Sequence, residues 1–384
     1  MVDSVVADCQ SQTNVSPRYK VMIFFPNIAP GGTERVIQTL LPHWHMYEIH
    51  CVLLDNSSDS PFESLPGVEV SVLGLVNKGS LKEYVHWLIR FREVVRSFCP
   101  DVLMAFGEVP IVISALHRFL AYDQRMRLVS NVRNHESTFL QGRKFSALKM
   151  KLLAWAMNQS DIVTGNSFEI KKEIREIFKI SVPINVIYNP IDLTLFSTEF
   201  DAEEEKTLRP IHVINVGRFN RQKGQEFLLR AVSKLQVAGK EIKLSLVGQG
   251  EDEKNLRALV SELALKDVSF IGWSDDIKGQ LSGADIFCLS SLWEGMPNVL
   301  LEALSTGLPI VSFDCHSGPS EILDKGRCGI LVPVGDVEAL AGGLLKLIER
   351  PELRHFYKKV GLERARDFDV RNIAKQWTKV IEPH

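Results

Sequence analysis

The feature that most constrains this chain is an alternation of short apolar runs with amphipathic segments, and that alternation occurs twice. In the first series, residues 19–25, 48–54, 68–74, 101–106, 127–132 and 161–166 read as strands. Helical patterns at 34–43, 81–98, 146–158 and 168–178 separate them. The pattern then restarts, with strands at 211–217, 242–248, 268–272, 285–291, 308–314 and 329–334. Helices at 224–238, 251–264, 297–306 and 336–348 fill the gaps. Strands that alternate with helices form a parallel sheet covered on both faces. Between the two series, DLTLFSTEFDAEEEKTLRP (192–210) is polar, acidic and weakly periodic, and reads as a linker.

A chain of 384 residues exceeds one ordinary hydrophobic core, so two domains are expected. The reading is α/β, with two Rossmann-like doubly wound parallel sheets facing across a cleft. Residues 1–18 are expected to be a disordered tail, 19–191 the first domain, and 211–365 the second. Residues 366–384 carry a last helix, near 370–382, expected to cross back to the first domain. Such sheets bind ligands at the C-terminal edges of their strands.

Composition narrows the function classes. A net charge of −2 argues against a general nucleic-acid binder, which needs a basic surplus to neutralise phosphates. The six cysteines are scattered, without C-x-x-C pairs or nearby histidines at zinc-ligand spacing, and read as reduced core residues. No basic-then-apolar leader and no span-length apolar run is visible. A cytoplasmic location is expected, with peripheral contact to the inner membrane face possible.

Four segments carry candidate chemistry. In SLWEGMPNVLLEALSTGLPIVSFD (291–314), Glu294 and Glu302 are eight apart, and Gly295-Met296-Pro297-Asn298 stands where a helix begins. A helix N-terminus leaves N–H groups unpaired and suits a diphosphate, and Pro297 fits a first helical turn. The same spacing also suits a capping acid and a surface acid on an ordinary βα unit. In NVGRFNRQKGQEFLLRAV (215–232), Gly217, Arg218 and Lys223 stand at a strand end. Two cations there could neutralise a departing diphosphate, or simply be solvated.

A third segment, PNIAPGGTERVIQTLLP (26–42), puts Gly31 and Gly32 directly after the first strand. Glycines there permit close backbone approach to a ligand, or merely a tight turn. It is neither a P-loop nor a G-x-G-x-x-G fingerprint. LVGQGEDEKN (246–255) begins like such a fingerprint with Gly248 and Gly250, but Glu253 replaces the third glycine.

In this order, the four segments resemble glycosyltransferase family 4, retaining enzymes of the GT-B fold, over nearly the whole chain from Tyr19. The resemblance implies that Glu294 holds donor-sugar hydroxyls and Glu302 ribose hydroxyls. Arg218 and Lys223 would grip the diphosphate. The backbone of Met296, Pro297, Asn298, Val299 and Leu300 would line it, and Gly31 and Gly32 would flank the donor from the opposite, acceptor-binding domain. Gly272 and Trp273 would border the base. It further implies no metal or other cofactor, a nucleotide diphosphate-sugar as co-substrate, and front-face attack with the leaving phosphate taking the acceptor proton. UDP is preferred because SGPSEIL (317–323) resembles polysaccharide enzymes that use UDP-sugars.

One departure stands out. Many relatives carry a His after the strand that here reads LVSNV, and this chain has Arg133 there, followed by Asn134, His135 and Glu136. Arg133 could bind the sugar or an acceptor phosphate, with His135 filling the usual role; both are candidates for catalysis. A DFD triplet at 367–369 reads as a helix cap.

Residues 125–151 hold seven Lys or Arg against the single acid Glu136. Arg143, Lys144, Lys149 and Lys151 are interleaved with Leu148, Leu152 and Trp155, as in a basic amphipathic helix on an anionic membrane. A core-packed helix with a solvated basic side gives the same pattern. Residues 86–98 are a weaker candidate of the same kind. The expected function is transfer of a hexose or N-acetylhexosamine from a UDP-sugar to a polyprenyl-diphosphate-linked glycan in surface polysaccharide assembly. The alternatives on the same fold are a nucleotide-sugar epimerase and a non-catalytic nucleotide-sugar-binding subunit.

Overall fold

A computed structural model describes residues 19–27, 32–55, 68–74, 81–121, 125–134, 146–196 and 209–382. Seven parallel strands form the first sheet: β1 Lys20–Asn27, β2 Glu48–Asp55, β3 Val68–Val72, β4 Val102–Phe106, β5 Arg127–Val132, β6 Ile162–Gly165 and β7 Ile184–Val186. Their spatial order is β3-β2-β1-β4-β5-β6-β7. The second sheet has six: β8 Ile211–Val216, β9 Ile242–Val247, β10 Val268–Ile271, β11 Ile286–Leu289, β12 Ile310–Phe313 and β13 Ile330–Val332. Its order is β10-β9-β8-β11-β12-β13.

The two orders obey one rule. Each sheet grows outward from its first strand in one direction, then returns and grows the other way. Strand order therefore reverses between β1 and β4 and between β8 and β11, which opens a crevice at the C-terminal end of each pair. Central strands such as β4, β6 and β11 are wholly buried, because helices cover both faces and every side chain must be apolar or hydrogen-bonded. Helix starts carry their own signals. Ser167 and Asp336 accept from the N–H groups of Ile170 (3.1 Å) and Ala339 (2.9 Å), as capping residues do.

Helices Leu81–Phe98 and Ser146–Asn158 have the predicted bounds, and those of the second half lie within two residues of theirs. Several elements escaped the pattern, among them the short helices Ile277–Ser282 and Pro319–Ile322. Helix Glu108–Ala121 is buried on nearly all sides, so EVPIVISALHRFLA shows no polar stripe to set a period. Strand β7 has only three residues, and helix Pro351–Ala365 lies where no helix was predicted. A short helix, Leu193–Phe196, opens the stretch read as a linker.

The last helix, Val370–Ile381, packs on the first sheet although it follows the second. Val370, Ile373, Trp377 and Val380 are buried in one core with Val21, Trp44 and Phe106. Trp377 meets Trp44 edge-on at 6.4 Å between ring centroids. Asp369, of the DFD triplet, caps this helix by accepting from Arg371 N–H at 2.8 Å.

Trp377→Ala removes the largest side chain that this returning helix places in the first core. It should destabilise the protein by ~3–5 kcal/mol, read as a lower midpoint in urea unfolding. An unchanged midpoint would refute this packing.

Candidate active site

The second sheet's crevice is built from the loops after β8 and β11. After β8, the Lys223 side chain lies across Gly217, its methylenes 3.4 Å from where a Cβ would stand. Asn220 then accepts from Lys223 N–H at 3.2 Å. Gly224 follows in the left-handed region, φ 57°, with Ser290 carbonyl oxygen 2.3 Å from a would-be Cβ. Only glycine fits there, so the loop turns sharply before helix Gln225–Val237 and aims Lys223 across to the β11 loop. Arg218 is exposed nearby.

The β11 loop carries Glu294, whose Oε1 accepts from Lys223 Nζ at 2.5 Å. Both groups are largely shielded, with side-chain exposures of 18% and 8%. Pro297 is extended (φ −69°, ψ 110°) and precedes the helix instead of sitting within its first turn; Asn298–Ser305 is the helix. The Leu300 N–H already bonds the Pro297 carbonyl at 3.0 Å. The phosphate cradle expected from Met296 to Leu300 is thus narrowed to the N–H groups ahead of Leu300.

Glu302 lies one turn further into that helix and is 2% exposed. Its Oε1 pairs with the Arg35 guanidinium, which reaches across the cleft from helix Gly32–Leu40 of the first sheet. Its Oε2 is buried without a hydrogen-bond partner among the described residues. Burial pushes the Glu302 carboxyl up, and the Arg35 charge works against that shift. A buried acceptor left open costs free energy until a donor arrives.

Contacts between the two sheets are dense at this point. A Cβ on Gly295 would lie 2.0 Å from the Arg133 carbonyl oxygen, so glycine alone allows the β11 loop to rest on the end of β5. Asn189 donates to Met296 O (2.9 Å) and Asn298 Oδ1 (2.5 Å) and accepts from Arg133 Nη2 (2.5 Å). Asn298 Nδ2 in turn donates to Gly32 O at 3.0 Å. Ser317 Oγ bonds both Gly295 O (2.7 Å) and Ser167 Oγ (2.6 Å). Glu321 accepts from Phe168 N–H (2.9 Å), Glu169 N–H (3.2 Å) and Tyr188 OH (3.1 Å).

With this geometry in view, comparison with known proteins is direct. Residues 196–364 match the family described as Glycosyl transferases group 1, and residues 30–195 match Glycosyltransferase Family 4. The two matches run without a break from residue 30 to residue 364. The chain belongs to glycosyltransferase family 4. It is 27% identical, over 94% of its length and 99% of the relative's, to the N-acetylgalactosamine-N,N'-diacetylbacillosaminyl-diphospho-undecaprenol 4-alpha-N-acetylgalactosaminyltransferase of Campylobacter jejuni. It is 25% identical, with the same two coverages, to the amylovoran biosynthesis glycosyltransferase AmsD of Erwinia amylovora. Among solved structures, HepE of Anabaena in complex with UDP and glucose shares the GT-B fold, with a TM-score of 0.82. That match has 20% identity and covers 95% of this chain and 100% of HepE.

In this family 4 chain the structure brings Lys223 and Glu294 together, and sets Glu302 against Arg35. Gly217, Gly248 and Arg218 share the strand ends of β8 and β9. Gly272 and the half-exposed Trp273 follow β10 at the sheet's edge, where Trp273 Nε1 donates to Asp275 at 3.0 Å. Gly31, His135, Arg143 and Lys144 lie outside the described residues. Among the described residues no group of three His, Cys, Asp or Glu could hold a metal ion.

Sequence reasoning missed Arg35, Asn189, Ser317 and Glu321. Arg35 stood inside GGTERV, where the glycines drew the attention. Asn189 sits in NPID without any periodicity to mark it. Their signal is contact between segments far apart in the chain.

Arg35 is the group that opposes the upward shift of Glu302. Arg35→Gln should therefore raise the carboxyl further, so that the ionised form is lost at higher pH. The acid limb of kcat/KM for the donor should move to higher pH, and an acid limb that stays put would separate Arg35 from Glu302.

Proposed function

We propose that this glycosyltransferase transfers a hexose or N-acetylhexosamine from a UDP-sugar to a polyprenyl-diphosphate-linked glycan, with retention and without a metal, in surface polysaccharide biosynthesis. The observation that carries this reading is the Lys223–Glu294 pair at the β8/β11 crevice, beside a helix N-terminus and opposite Arg35–Glu302. A cation, a sugar-holding acid and a ribose-holding acid within one crevice fit a nucleotide diphosphate-sugar and little else. Support for the acceptor comes from the Campylobacter relative, whose name specifies a diphospho-undecaprenol-linked substrate. Support for UDP comes from the HepE complex.

On this reading the donor displaces the Lys223–Glu294 pair and leaves Arg35 on Glu302. Lys223 and Arg218 turn to the diphosphate, and the helix N-terminus at Asn298 adds its dipole. Glu294, released from Lys223, accepts from sugar hydroxyls. Glu302 has Oε2 open for a ribose hydroxyl while Arg35 keeps the carboxyl ionised. The acceptor oxygen bonds the anomeric carbon from the face that the leaving oxygen vacates. The acceptor's proton passes to a phosphate oxygen, so no protein base is needed. Cations preset at the leaving group stabilise charge that develops in the transition state, where they count most.

Membrane contact is part of the proposal. On helix Ser146–Asn158, Leu148, Lys149, Lys151 and Leu152 are exposed together. Helix Leu81–Phe98 exposes Tyr84, Val85 and Ile89. Apolar tips beside cations suit an anionic bilayer surface. No helix among the described residues is long and apolar enough to cross a membrane. Charge reversal at Lys149 and Lys151 should abolish co-sedimentation with anionic vesicles; retained sedimentation refutes this face.

The transfer itself is tested by quantifying nucleoside diphosphate released from a panel of UDP-, GDP- and ADP-sugars, with and without a bacterial lipid extract. Release from a UDP-sugar that rises with the extract is expected. Glu294→Ala should abolish turnover yet spare much of the UDP affinity. Lys223→Ala should weaken UDP binding by roughly 1.5–3 kcal/mol, the range for a charge-assisted contact. Unchanged transfer by Glu294→Ala would show the assigned site to be wrong.

A further inference from the structure

Arg133 is a buried cation with no acidic partner among the described residues. The residue is 7% exposed. Its one hydrogen-bond partner for the guanidinium among the described residues is the neutral Asn189 Oδ1, at 2.5 Å. No Asp or Glu among those residues forms an ion pair with it. Burial lowers its affinity for its own proton, to a pKa of about 10. Taking a guanidinium out of water is costly unless a partner charge replaces the lost hydration. A residue that served only to pack would be cheaper as an apolar side chain of similar volume.

The surroundings add to the cost. Asn189 hands its Nδ2 to Met296 O and to Asn298 Oδ1. That leaves Arg133 two hydrogen bonds from the first residue of helix Asn298–Ser305. The positive end of that helix and the guanidinium are thus joined through Asn189. Lys223 stands on the neighbouring loop, with its charge already matched by Glu294. Asn189 lies on its guanidinium, while its carbonyl is covered by Asn166 of the same domain and by the Gly295 loop from across the cleft. Opening the cleft would lift the Gly295 loop away.

We propose that Arg133 is the receptor for a phosphate oxyanion that a substrate brings into the closing cleft. A planar fork of N–H donors and a helix N-terminus are both matched to phosphate oxygens. The inference rests on the reading that this cleft takes a nucleoside diphosphate-sugar. Two diphosphates are available on that reading, one on the donor and one on the lipid-linked acceptor. Arg133 is thus a binding residue that also sets when the cleft can close, because its charge is compensated only with substrate present.

The test compares Arg133→Met and Arg133→Lys with the wild type. Without ligand, Arg133→Met should melt about 2 °C or more above wild type, since an uncompensated buried charge has been replaced by an apolar side chain. Inorganic diphosphate should stabilise the wild type, and its affinity should fall about tenfold in Arg133→Met, with partial recovery in Arg133→Lys. A matching loss of UDP affinity assigns the donor's diphosphate. Unchanged UDP affinity, with transfer lost only for a diphosphate-linked glycan and kept for the same glycan on a neutral aglycone, assigns the acceptor's. Either result supports the proposal. A methionine variant that melts below the wild type, or one that loses neither interaction, overturns it. Wild-type sugar transfer is scored separately, so a chain that binds diphosphate through Arg133 yet transfers nothing refutes the donor reading alone.

Discussion

The cleft depends on a pair of main-chain hydrogen bonds where the chain crosses twice between its sheets. Ile191 N–H donates to Phe368 O, and Val370 N–H donates to Ile191 O, each at 2.9 Å. One crossing leaves the first sheet and the other returns to it, and the two segments run parallel as a short bridge between Ile191 and Asp369. Trp377 anchors the returning strand of this tie in the first core. Tying the crossings together sets the two strand-order reversals opposite one another.

Within the cleft, charge is arranged so that the ligand-free protein largely neutralises itself. Lys223 covers Glu294 and Arg35 covers Glu302. Both acids are buried, and an unpaired carboxylate there would be costly. Arg133 breaks this symmetry. No acid among the described residues pairs with it, unlike Arg118, which forks onto Asp161 at 2.5 and 3.1 Å.

Much of this was legible in the sequence. The repeated alternation carries the two sheets, because β-strands buried on both faces must be apolar and their crossovers must be helices. Glu294, Glu302, Arg218 and Lys223 are visible because they sit in local strand–turn–helix segments whose geometry is set by neighbours in the chain. Elements that were missed lacked a local signal. Helix Glu108–Ala121 is apolar all round, and β7 is too short to show a period.

What the sequence determined by itself, then, is the fold class and which loops stand at the strand ends of the crevice, since both follow from periodicity and from residues close together in the chain. Only the tertiary structure decided which charges face each other. Arg35 meets Glu302 across 267 positions of chain, Asn189 meets Asn298 across 109, and Ser167 meets Ser317 across 150. Pattern cannot announce such pairs, because a side chain's electrostatic partner is set by where two sheets come to rest, and its own neighbours in sequence do not record that.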